Sequence, residues 1–218
     1  MVRRLWFGRS LLARGRGLQA WWITTYAPVR RARGWDTPLV PADSPFLPPR
    51  PASEPVELVP ADRSHRAVLG NLGQLYRHDL SGPYGHVPNP DGTFNNRRLD
   101  LFLAGADPEV RAWLITAGGS LGGFAMTAPA NGGGRSISGF FIVRALRRSG
   151  VGREAARQVI AMTPGRWRIA FQAYNPGAQR FWSQVASDAA GDQWAMHDEQ
   201  PPGHQDPRDM DTWITFQA

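Results

Sequence analysis

An α+β fold, with a mixed, mostly antiparallel sheet flanked by helices, is the class this sequence predicts. Three observations predict it. Short apolar or alternating runs joined by glycine turns fill residues 112–143, and helix-period stripes dominate the later part of the chain. The two regions meet at a glycine-containing strand-to-helix turn, Arg147-Arg148-Ser149-Gly150-Val151-Gly152.

Each element has its own signal. Residues 56–59 alternate as a short strand. Asp62 or Ser64 can cap the next helix, whose predicted face is Val68, Leu72, Leu75 and Tyr76 at i, i+4, i+7 and i+8. Gly70 and Gly73 weaken that helix by about 1 kcal/mol each relative to Ala. Residues 79–98, rich in Gly, Pro and Asn, read as a loop. Residues 112–116 and 121–127 form a hairpin around Gly118-Gly119-Ser120, and a second turn at Asn131-Gly132-Gly133-Gly134 leads to a strand over 136–143.

Gly150 and Gly152 then open a helix with the inward face Ala155, Ala156, Val159 and Ile160, stopped by Thr163-Pro164-Gly165. Residues 167–173 are a strand. Asn175 caps the next helix, with Pro176 at its first position, where the missing N–H costs nothing. Ala178, Phe181, Trp182 and Val185 form its apolar stripe. Strands at 193–196 and 212–216 close the domain around a polar loop.

Composition removes several chemistries. The chain has no cysteine, which excludes disulfides, thiolate metal sites and a Cys nucleophile and fits a reducing cytoplasm. All 25 basic residues are Arg, so neither a Schiff-base lysine nor a phosphate-loop lysine is available. Arg in place of Lys, with abundant Gly, Ala and Pro, points to a GC-rich bacterial coding genome. No apolar run approaches the roughly 18 residues a membrane span requires.

The formal net charge of +7 is confined to one end. Residues 1–50 hold nine Arg against Asp36 and Asp43, while the sixteen Arg beyond them are matched by sixteen acids. Residues 1–53 thus read as a basic, Pro-rich extension, with seven Pro between 37 and 55, and residues 54–218 as the folded domain. Three readings of the extension stay open: a disordered arm drawn to nucleic acid or anionic lipid, a targeting segment, or translated upstream DNA. Trp6, Trp21, Trp22 and Trp35 interleaved with Arg resemble an RNA-binding or membrane-surface stripe, but without helical spacing.

The chemistry is carried by the glycine turn. The first N–H groups of a helix have no internal partner and sit at the positive end of its dipole. Glycine lets an anion approach the backbone there, and Arg147 and Arg148 add charge. A nucleotide-binding P-loop would need Gly-Lys-Ser/Thr, which is absent. A dinucleotide fold would tolerate Ala155 but expects an acid closing a second strand, and Ile169 to Ala173 offers none.

The order of these parts resembles the GNAT acetyltransferase superfamily over about residues 54–217. The resemblance rests on Arg147-x-x-Gly150-x-Gly152 opening a helix after a meander, then a strand, then Asn175-x-x-Ala178-x-x-Phe181-Trp182. Gln74-Leu75-Tyr76 through His78-Asp79-Leu80-Ser81 also resembles the start of one uncharacterised bacterial branch. The resemblance implies a GNAT-like fold and N-acetylation of a primary amine, on a small molecule or a protein, with acetyl-CoA as co-substrate. It places backbone groups of Phe141, Ile142 and Val143 along the pantetheine arm, and an oxyanion donor near Val143. Arg147, Arg148, Ser149, Gly150, Val151 and Gly152 would surround the pyrophosphate. Asn175 would bond the pantetheine region or cap its helix, and Phe181 and Trp182 would lie beside the thioester.

Two departures from the family pattern leave the catalytic acid and base unassigned. Residues 136–139 carry no carboxylate, and Trp182 stands where many members have Tyr. His78, Asp79 and Tyr174 are the catalytic candidates, and Tyr84 and Asp100 are candidates for shaping the acceptor pocket. His197, Asp198, His204 and Asp206 lack recognised metal spacing, so no metal is expected. The expected protein is cytoplasmic, with a homodimer compatible, and touches nucleic acid only through residues 1–50. An acyl-CoA binder without turnover and a polyanion- or membrane-associated protein acting through its arm are the alternatives.

Overall fold

Strand β2 (Arg111–Ala117) turns Ala112 and Leu114 to one face of the sheet and Trp113, Ile115 and Ala117 to the other, and all five are buried. Covering on both faces explains why this run is continuously apolar rather than alternating. The computed structural model describes residues 55–200 and 210–218, apart from the side chains of Pro83 and Tyr84. The predicted N-terminal extension, its Trp residues, His204 and Asp206 lie outside the described residues.

The meander is as predicted. Strand β1 (Val56–Ala61) pairs antiparallel with β2, β2 with β3 (Ser120–Pro129), and β3 with β4 (Arg135–Ile142). The second half adds β5 (Arg166–Gln172), β6 (Trp194–Glu199) and β7 (Asp211–Gln217) in the spatial order β1-β2-β3-β4-β5-β7-β6. Among the described residues, only the β4–β5 pairing is parallel.

Among the described residues, two α-helices cover each face. Helices α1 (Arg66–Tyr84) and α2 (Arg97–Ala104) pack Leu69, Leu72, Leu99 and Leu103 on Leu114, Phe124, Met126 and Phe141. On the other face lie α3 (Val151–Ala161) and α4 (Pro176–Ala190). The buried residues of α3 include Ala155, Ala156, Val159 and Ile160, the face its spacing predicts. Asn175 caps α4 as expected, its Oδ1 accepting from the Ala178 N–H at 3.0 Å, and Pro176 occupies the first helical turn.

Three expectations are corrected. The region read as a loop from residue 79 begins as helix, because α1 continues to Tyr84 and ends on Gly85 at φ +64°. The same region ends in α2, an eight-residue helix too short to show a sustained period. The buried face of α1 is also rotated from the predicted one. Leu69 is fully buried and Leu75 is 53 % exposed, so the inward set is Leu69, Leu72, Gly73 and Tyr76. Gly73 belongs to it because α2 lies so close: a Cβ there would stand 2.5 Å from Leu99 Cδ2.

Two glycines give opposite predictions for thermal unfolding. A Cβ on Gly70 meets nothing within 4 Å, so Gly70→Ala raises stability by about 1 kcal/mol through helix propensity, roughly 2–4 °C in Tm. A Cβ on Gly123 would stand 1.9 Å from the Phe141 carbonyl oxygen in the adjoining strand. Gly123→Ala therefore forces β3 from β4 and lowers stability by about 3 kcal/mol.

Candidate functional site

Strands β4 and β5 pair at only three positions, Arg135 with Trp167, Ser136 with Arg168 and Ile137 with Ile169. The cause is a register slip on the other edge of β4. Met126 of β3 faces Gly139 while Thr127 faces Ile137, so Ser138 is an extra residue in β4. Such a bulge bends its strand. Beyond it β4 stays with β3, β5 stays with β7, and a wedge opens between them.

Parity along β4 identifies the polar groups that face the wedge. The Val143 N–H donates to the Gly122 carbonyl at 2.9 Å, and the Phe141 carbonyl points at Gly123. Both belong to the β3 edge, so the backbone groups of Phe140 and Ile142 face the wedge. This corrects the expectation for residues 141–143. Val143 is already committed, Ile142 is the member of that stretch at the open edge, and Phe140 joins it. The Ile142 carbonyl accepts from Arg147 Nε at 2.7 Å, leaving the Ile142 N–H and both groups of Phe140.

At the carboxyl end of β4 the chain turns into α3 through an unusual backbone. Gly150 caps the helix at φ +89°, and Arg148 is the non-glycine residue with positive φ among the described residues, at +65°. Ser149 Oγ pins the turn by donating to the Leu146 carbonyl at 2.7 Å. The first helical bond is from the Glu154 N–H to the Gly150 carbonyl, and no backbone acceptor engages the N–H groups of residues 148–153. Successive free N–H groups around a left-handed residue form an anion-binding concavity, and the dipole of α3 adds to it. Val151 contributes only its backbone, since its side chain is core. A Cβ on Gly152 would stand 3.4 Å from both Ile142 and Phe181, so the helix start lies against β4 and α4.

An aromatic cluster joins β4 to α4. Phe140 lies 5.6 Å from Phe181 and 5.3 Å from Trp182 between ring centroids, and Phe181 and Trp182 are 4.7 Å apart. Next to it opens a cavity of about 520 Å³ lined from both faces of the sheet. Tyr76 and Arg77 of α1 and Arg97 and Arg98 of α2 line one wall; Ser138 and Phe140 of β4, Gln172, Asn175, Trp182 and Asp211 are among the residues that line the rest. That size suits a small molecule.

None of the three catalytic candidates lines this cavity. His78 is exposed, with its ring edge-on to Phe94. Tyr174 is 41 % exposed. Asp79 serves as a clamp between α1 and the turn that precedes α3. Arg147 Nη2 donates to its Oδ2, and Arg144 donates to its Oδ1 at 2.9 and 3.2 Å. Partial burial acts to raise the carboxyl, but the hydrogen bonds from Arg147 and Arg144 outweigh it and the net shift is downward. A carboxylate so held is a poor proton acceptor, and Arg147, read as a phosphate ligand, has its guanidinium on Asp79 and Ile142. Asp100 is exposed on α2 away from the cavity, and the Tyr84 side chain lies outside the described residues. His197 and Asp198 sit on β6, where Asp198 accepts from Thr212 Oγ1 at 2.6 Å.

Among the cavity residues that sequence reading missed are Arg77, Arg97, Arg98, Ser138 and Asp211. The two α2 arginines depend on a helix read as loop, and Ser138 on a bulge that has no sequence signature.

The Asp79 clamp has a signed pH dependence. Its folded-state pKa is lowered, so its stabilisation is complete above the ordinary carboxylate value of about 4 and is lost as pH falls through the folded value. Asp79→Asn therefore lowers stability by about 1 kcal/mol at pH 7, given that Arg144 is largely exposed. Urea unfolding of both proteins is expected to show that difference shrinking toward pH 3.

The sequence profile described as the Acetyltransferase (GNAT) family matches residues 71–186. No curated protein matches the chain in sequence. Among solved structures, an acetyltransferase from Thermus thermophilus superposes with TM-score 0.54 at 16 % identity, over 75 % of this chain and 97 % of that one. RimL, a ribosomal L7/L12 alpha-N-protein acetyltransferase in complex with coenzyme A, gives 0.54 at 13 %, over 77 % and 96 %. A chimera of the spermidine N-acetyltransferase SpeG from Vibrio cholerae and hSSAT gives 0.50 at 11 %, over 74 % and 95 %. At these identities the likeness is one of fold. With the profile spanning more than half of the sequence and the sheet and helices in the same arrangement, the chain belongs to the acetyltransferase (GNAT) family.

Proposed function

We propose that this chain transfers an acetyl group from acetyl-CoA to a primary amine. The observation that carries the reading is the meeting, at the carboxyl end of β4, of an unpaired strand edge with a row of unengaged N–H groups. An extended arm with its own amides and a pyrophosphate satisfies both at once. Bound acetyl-CoA supplies a thioester carbonyl open to attack by an amine.

On this reading the N–H groups of residues 148–152 hold the pyrophosphate, with Arg148 adding charge. The open groups of Phe140 and Ile142 hold the arm, which runs back along β4 toward the cavity. Phe140 lines that cavity and Ile142 does not, so the thioester lies beside Phe140, whose N–H faces the carbonyl oxygen where negative charge develops. Trp182 packs next to it, and Asn175 holds the start of α4. Asp211 is the carboxylate among the described cavity residues and takes the proton that the attacking amine gives up. The C–S bond breaks, and the thiolate is reprotonated from water.

A binder without turnover is the second reading. It is favoured by the single carboxylate among the described cavity residues and by an indole at Trp182, which does not act as an acid near neutrality.

Two measurements on the full-length chain test the reading. Acetyl-CoA at 100 times its Kd is expected to stabilise by about 2.7 kcal/mol, a rise in Tm of several degrees. Gly150→Val, at a position with φ +89°, is expected to abolish that rise. Asp211→Asn is expected to keep it while amine-dependent release of the CoA thiol falls about 100-fold. A melting shift with no thiol release from any amine would favour the binder.

A further inference from the structure

The acceptor wall of the cavity is strongly cationic. Arg77, Arg97 and Arg98 line it against the single carboxylate Asp211, and none of the three arginines has an ion-pair partner among the described residues. Their hydrogen bonds are marginal. Arg98 Nη1 reaches the Ser138 carbonyl at 3.4 Å, and Arg77 Nη2 reaches His86 Nδ1 at 3.5 Å. Arg77 Nε is buried with no partner, and so is Ser138 Oγ. Arg77 Nε is thus a charged donor withdrawn from water without an acceptor, which is costly, and an anion from outside would complete it while the exposed Arg97 and Arg98 add charge.

Two further features converge on the same place. Tyr76 is pushed up by burial, with the charges of Arg98 and Arg77 pulling the other way, so all three groups share one neighbourhood and the phenol stays protonated as a donor. The amino end of α2 also opens there. Its first helical bond is from the Asp100 N–H to the Asn96 carbonyl, and Asn96 makes no side-chain cap. Asp211 stands on β7, beyond β5 from this wall.

Resting on the acetyltransferase reading, we infer that the acceptor is a small amine that also bears a carboxylate. Its anionic group lies between Arg77 and Arg98 with the Tyr76 hydroxyl as a further donor, and its amine is directed toward Asp211 and the Phe140 edge. A guanidinium pair gripping a carboxylate is a strong charge-assisted contact, and the same wall repels a polycation. A polyamine is therefore excluded as the preferred acceptor.

The test uses the full-length chain, acetyl-CoA and a colorimetric readout of the CoA thiol. Leucine, phenylalanine and glutamate are each compared with the amine left by removing the α-carboxylate, and spermidine is added as the polycation. At least one carboxylate member is expected to exceed its decarboxylated partner at least about tenfold in kcat/KM, mostly through KM. Arg77→Gln and Arg98→Gln are expected to shrink that preference to within about threefold. Equal or better use of the decarboxylated amines, or of spermidine, would overturn the inference. If no amine is consumed, calorimetric binding of the N-acetylated acids against the N-acetylated amines decides it. Tenfold tighter binding of an acid, lost in Arg98→Gln, supports the site, and equal or absent binding overturns it. Absence of the acetyl-CoA melting shift would instead defeat the acetyltransferase reading, and the binding comparison, run without CoA, would still decide the anion site.

Discussion

The early parting of β4 from β5 is the constraint on which the rest of the site depends. Had the two parallel strands stayed in register past Ile137 and Ile169, the open groups of Phe140 and Ile142 would be spent on β5. The bulge at Ser138 prevents this by bending β4 away while β3 still holds it. The groups left open are not engaged by a neighbouring strand and stay available to a partner that brings its own amides. The same divergence makes room for the ring cluster of Phe140, Phe181 and Trp182 and for the cavity beside it.

The turn before α3 is fastened to the opposite face of the sheet. Asp79 on α1 receives both Arg144 and Arg147, and Arg147 also holds the Ile142 carbonyl. One guanidinium thus fixes the end of β4, the turn before α3 and the helix that carries Tyr76 and Arg77. The arginine that a motif reading assigns to a ligand is spent on positioning, and the N–H groups of residues 148–153 are left without a backbone acceptor. That division suits the physics of the turn, because backbone N–H groups need no side-chain ordering to present themselves.

Much of the scaffold was legible in the sequence, for identifiable reasons. The glycine turns at 118–120 and 131–134, the Asn175-Pro176 cap and the α3 stripe are local signals, and each reappears in its predicted place. The residues that escaped are products of tertiary contact. Helix α2 is held by Leu99 and Leu103 packing on α1 where Gly73 permits close approach, and nothing within its eight residues announces that. The rotation of the α1 face follows from the same contact. The bulge at Ser138 is a mismatch between two strands, so it has no trace in either alone. Asp211 reaches the cavity only because β7 inserts between β5 and β6. His78, Asp79 and Tyr174 do not line the cavity, because neither a place at a helix end nor closeness to a motif sets the direction of a side chain.

The most direct measurement is amide hydrogen exchange of the full-length chain with and without acetyl-CoA. Slowing is expected at the N–H groups of Phe140 and Ile142 and of residues 148–152, with Val143, already bonded to Gly122, unchanged. That pattern would place the ligand along the open edge of β4 and over the start of α3. Saturating acetyl-CoA that leaves those amides as fast as before, or protects another part of the sheet instead, would contradict the account.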